Sequence, residues 1–129
     1  MLRNFEQQTD ELNEYETEQL LPVMIAGLRT KKGKAAAVTN RTIVTRLNAI
    51  GYKLNDARCR KIINHIRCHD LIPGLIATSD GYFIAQNSSE LIDYEESLLG
   101  RENAIKAVRL AIHRQRQILF GDVKPANPF

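Results

Sequence analysis

The chain has 129 residues, 43% of them hydrophobic and 26% charged, with two cysteines and a formal net charge of +3. That length builds one domain with its own core and hardly two, and the apolar fraction excludes a chain too polar to fold. No apolar run approaches the roughly 20 residues that span a bilayer. The polar, acidic opening MLRNFEQQTDELNE is no signal peptide, so the expected compartment is the cytoplasm, where Cys59 and Cys68 make no disulfide framework.

Residues 1–12 are expected to form a flexible N-terminal segment. NEYETEQLLPVMIAGL then reads as a helix, with Asn13 as N-cap and Glu16 completing a capping box. Its apolar stripe is Leu20, Leu21, Met24, Ile25 and Leu28, and Pro22 is expected to kink or restart it. RTKKGKAAAVTN is a flexible basic loop in which Ala36–Val38 suggests a very short strand. TNRTIVTRLNAIG is a second helix, capped by Thr39 or Asn40, burying Ile43, Leu47 and Ile50 and ended by Gly51.

NDARCRKIINHIR is a third helix, capped by Asn55 or Asp56. Cys59, Ile62, Ile63 and Ile66 follow the i, i+3, i+4, i+7 spacing of a buried face. In LIPGLIATSDGYFIA, apolar β-prone runs flank Asp80-Gly81, the signal of a two-residue hairpin turn. SSELIDYEESLLGRENAIKAVRLAIHRQRQILF is a long helix capped by Ser88 or Ser89, and Gly100 is expected to divide or bend it. GDVKPANPF is a loose tail. The expected organisation is a flexible segment 1–12, a domain 13–86, an amphipathic helix 87–120 and a tail 121–129.

Charge is unevenly placed. Residues 1–28 carry a balance of −5, residues 29–69 a balance of +10 and residues 70–129 a balance of −2. A strongly basic block between acidic ones suggests a surface that faces an anion, although an exposed basic helix is commonly no more than a solvated face.

Helix, short strand, helix, tight turn, helix and hairpin, over roughly residues 13–85, is the element order of a winged helix-turn-helix DNA-binding domain, which this stretch resembles. It also has the compact style of small phage and mobile-element regulators. The resemblance implies an α+β fold, mainly helical with a small β-hairpin, in which the third helix enters the major groove and the hairpin touches the backbone. Its base-reading face would be Ala57, Arg60, Lys61 and Asn64, with Arg58 and His65 at the edge. Arginine and lysine suit guanine and asparagine suits adenine, and a small alanine leaves room for a thymine methyl. Asn40, Arg41 and Thr42 at the start of the second helix suit a phosphate. Lys31, Lys32 and Lys34 would neutralise others. In the wing, Thr78, Ser79 and Tyr82 would donate to phosphate. Asp80 departs from the basic tips of many wings.

Enzyme chemistry finds little support. GLRTKKGKA fails the Walker pattern twice, with five residues between Gly27 and Gly33 and Ala35 after Lys34. His65 and His69 lie at i, i+4, but Cys59 belongs to the apolar face and no Cys-x-x-Cys exists, so no metal is expected. The acids Glu90, Asp93, Glu95 and Glu96 read as solvated surface, and no nucleophile–base pair stands out. No catalytic residue, cofactor or small-molecule substrate is assigned.

On the last helix, Leu91, Leu98, Ile105, Ile112 and Leu119 recur every seven residues, with Tyr94, Arg101, Val108 and Gln115 in the companion positions. Either this helix packs on the domain or it joins a second chain. A homodimer is the preferred expectation, with Leu91, Tyr94, Leu98, Ile105, Val108, Ile112 and Leu119 at its seam. The expectation is thus a non-enzymatic cytoplasmic regulator of transcription or replication that binds double-stranded DNA as a homodimer. The alternative is a winged-helix protein-interaction module.

Overall fold

The computed structural model describes residues 11–121, so most of the expected N-terminal segment and tail lies outside the described residues. The fold is mainly helical with one two-stranded antiparallel hairpin. The chain divides into two units, the second beginning at Ile92.

The first helical stretch starts as its spacing predicts. The Asn13 N–H donates to Glu16 Oε1 and the Glu16 N–H to Asn13 Oδ1, each at 2.9 Å, so both orphan donors are satisfied reciprocally. The helix opens with a π-helical turn, Glu16–Leu20, and continues as α1, Leu21–Leu28, with Pro22 in its first turn. A proline has no N–H for the preceding turn, and the change of pitch falls where that bond is missing. Leu20, Met24 and Leu28 are buried.

The next segment is not the flexible loop expected. It reverses through a 3-10 turn, Lys34–Ala36, and is bonded at both ends to one edge of the hairpin. The hairpin strands are β1, Leu75–Thr78, and β2, Gly81–Ile84. Ile84 N–H donates to Lys31 O (2.7 Å) and Gly33 N–H to Ile84 O (2.9 Å), while Val38 and Tyr82 exchange bonds of 3.0 and 2.7 Å. Val38 is therefore a one-residue third strand.

The hairpin register pairs Thr78 with Gly81. The two turn residues are thus Ser79 and Asp80, one position earlier than the Asp80-Gly81 signal suggests. Gly81 has another task. Its φ is +118°, and a Cβ there would lie 2.5 Å from the Val38 carbonyl oxygen. The glycine is needed for the close approach of Val38, not for the turn. Both hairpin faces are covered: Leu75 and Tyr82 are buried on one side, Ile76 and Phe83 on the other.

Helix α2, Asn40–Ala49, is capped by Thr39, whose hydroxyl accepts from Thr42 N–H at 3.1 Å. No residue of α2 is buried: Ile43 and Leu47 are half-buried and Ile50, expected in the core, is 69% exposed. Helix α3, Asp56–Cys68, is capped by Asn55, and its expected inner face of Cys59, Ile62, Ile63 and Ile66 is buried. Full burial of such a side chain stabilises by about 1.5–3 kcal/mol, so α3 is the apolar centre of this unit.

Helix α4, Ser88–Phe120, runs unbroken through Gly100. Its cap is Asn87, whose Oδ1 accepts from the Glu90 N–H at 3.0 Å, not Ser88 or Ser89. None of its residues is buried. No helix among the described residues is long and apolar enough to cross a membrane.

Two glycine replacements separate conformational need from tolerance. Gly81→Ala should destabilise the fold by about 1–3 kcal/mol in denaturant melts, because of the positive φ and the Val38 clash. At Gly100 an added Cβ meets nothing within 4 Å, so Gly100→Ala should raise helix stability by about 0.5–1 kcal/mol, measured by circular dichroism on heating.

Candidate nucleic-acid interface

Three elements meet at Asn40. Its Nδ2 donates to Asp56 Oδ1 at 3.2 Å and to the Asp56 carbonyl at 3.3 Å, and its Oδ1 accepts from the Tyr82 hydroxyl at 3.0 Å. The amide thereby fixes the first turn of α2 beside the first turn of α3, with the hairpin against both. Both helix starts turn their positive dipole ends there, and one first-turn N–H of each is taken by its cap, Thr42 by Thr39 and Arg58 by Asn55. Lys34 Nζ lies 3.5 Å from Asp80 Oδ2, which sets the basic loop beside the hairpin tip.

These contacts revise several expected roles. Asn40 and Tyr82 are bonded to each other inside the fold, and Tyr82 is buried, so neither is a free phosphate donor. Burial pushes the Tyr82 hydroxyl up to about 12, while the charges of Arg60 and Arg67 pull the other way. Asp80, out of place on a basic tip, is screened by Lys34.

The larger correction concerns Lys61 and Arg58. Glu16 is 2% exposed. Its Oε1 accepts from Lys61 Nζ at 2.7 Å and its Oε2 from Arg58 Nε at 3.1 Å. Arg58 also donates to the Lys53 carbonyl at 3.0 Å and stands 5.4 Å from the centre of the Tyr15 ring. Both cations are consumed by a buried carboxylate and do not project as base readers. Burial alone would raise the Glu16 pKa, but the Lys61 ammonium, the Asn13 N–H and the Arg58 guanidinium together hold it below its usual range.

Of the expected reading face, Arg60 is exposed and Ala57 and Asn64 are half-buried. Asn64 Oδ1 lies 3.8 Å from the Cys68 thiol. Half-buried His65 stacks on His69 with ring centres 4.0 Å apart. Burial first, and then the neighbouring ring's charge, lowers its pKa. Arg41, Lys32 and Ser79 are exposed, Lys31 half-buried, and Thr42 is bound to the Thr39 cap. Arg67 was missed by sequence reasoning, although the spacing 60, 64, 67 was available to place it beside Arg60 and Asn64. No protein-family model, curated protein or solved structure matches the chain.

The Glu16 cluster ties stability to acid. A carboxylate whose pKa is depressed by folding stabilises above its unfolded pKa and loses that contribution as pH falls below about 4.5. Glu16→Gln should lower unfolding free energy at pH 7 by about 2–3 kcal/mol, since two cations lose their buried partner. It should also flatten the acid limb of a stability–pH profile, both read from denaturant melts.

Proposed function

We propose that this chain is a non-enzymatic winged helix-turn-helix protein that binds double-stranded DNA, acting as a homodimeric regulator of transcription or replication. The carrying observation is the Asn40 junction, which puts the starts of α2 and α3 and the hairpin on one surface. The elements it joins, and the loop bonded to the hairpin, carry the exposed residues Arg41, Arg60, Ser79 and Lys32. Arg60 and Asn64 supply base-edge groups, with Ala57 beside them. Lys31, Lys32 and Arg41 supply phosphate contacts. The heptad face of α4, with Ile105 70% and Val108 62% exposed, supplies the dimer seam.

A second reading, a protein-interaction module of the same architecture, gains from Glu16, which removes Arg58 and Lys61 from the outward charge. One set of variants separates the two. Arg60→Ala should cost about 1–3 kcal/mol on a selected DNA site and relax base choice at one position. Lys32→Ala should weaken all sequences alike and lower the log–log salt slope by about one unit. Lys61→Ala should instead lower the melting temperature. Quantitative salt-titrated binding to selected and random duplexes reads the first two effects. Binding that ignores salt, or no binding at low salt, leaves the interaction module.

A further inference from the structure

The second unit shows a charge division along α4. From Ile92 to Glu102 there are four acids and one base; from Asn103 to Phe120 there are four bases and no acid. Among the described residues no ion pair joins two side chains of this helix. The heptad residues Ile105, Ile112 and Leu119 are 70, 56 and 70% exposed.

From these we infer that the partner of this face is a second copy of the same helix, running antiparallel. In an antiparallel pair each position of the seven-residue seam faces the companion position of the other chain. Ile105 then meets the second copy's Val108, and the flanking charges fall into place: Glu102 opposite Arg109 and Glu95 opposite Arg116, each pair occurring twice. All four charged residues are exposed. Sliding one chain by a heptad in either direction sets Glu102 against its own copy, or Arg109 against its own copy. A parallel pair places Arg101 against itself within the seam and aligns acid with acid along the helix. Like charges so placed oppose association, and opposite charges set orientation. In the antiparallel register Arg101 faces Ile112, along which its aliphatic stem can lie.

This orientation rests on the dimer part of the proposed function and is independent of DNA binding. The first test is association, by sedimentation equilibrium of the full chain. Glu95→Arg with Glu102→Arg, and separately Arg109→Glu with Arg116→Glu, should each raise the dissociation constant about tenfold or more, and an equal mixture should recover it. The second test is orientation, in a Cys68→Ser background because Cys68 is exposed and Cys59 buried. Leu98→Cys mixed with Gln115→Cys should cross-link on oxidation, and neither should cross-link with itself. Self-linked Leu98→Cys, or unchanged association of the charge variants, overturns the antiparallel register while leaving a dimer. A wild-type monomer overturns the dimer as well.

Discussion

Glu16 holds this fold at two scales. Locally its carboxylate closes the capping box with Asn13 and fixes where the first helix begins. Across 42 and 45 positions of chain it receives Arg58 and Lys61, which fixes α3 against that same turn. One oxygen, Oε1, serves both tasks, since it accepts from Asn13 N–H and from Lys61 Nζ. A carboxylate withdrawn from water is tolerated only when its oxygens are hydrogen-bonded, and here three donors engage both of them. The cap and the helix pairing therefore depend on one group.

Asn40 does the neutral counterpart of this work at the other flank of α3. It links α2, α3 and β2 through three hydrogen bonds, in a place where a charge would meet the positive ends of two helices. With Glu16 holding one side of α3 and Asn40 its start, the helix is set by polar contacts at its edges and by Ile62, Ile63 and Ile66 at its base. What stays outward is the strip carrying Arg60 and Asn64.

Periodicity made the inner face of α3 legible, because a helix that buries one side must repeat its apolar residues at helical spacing. The Asn13–Glu16 box was equally legible, being local. The second role of Glu16 was not, since a sequence does not reveal which acid a distant lysine will meet. The +10 segment read as a surface awaiting an anion, and part of that charge is answered by an anion of the chain itself. Gly81 failed for a related reason. Asp-Gly is a turn signal, yet the glycine is required by Val38, a residue 43 positions earlier. Long-range partners also decided Tyr82 and Asn40, each plausible as an outward donor and each used inside.

The two units satisfy their apolar residues differently. In the first, α3 buries its stripe completely, and the hairpin is covered on both faces. In the second, the stretch of α4 from Ile92 to Phe120 buries none of its side chains. Strong helix formers along it, among them Ala104, Ala107, Leu110 and Ala111, favour the helical backbone without a tertiary partner, and its length helps to meet the cost of nucleation. Backbone propensity, however, does nothing for the exposed Ile105, Val108, Ile112 and Leu119. Those side chains gain only when something apolar covers them. Propensity and length can therefore keep a helix formed while its apolar stripe is uncovered, whereas the 13-residue α3 is helical with its stripe buried.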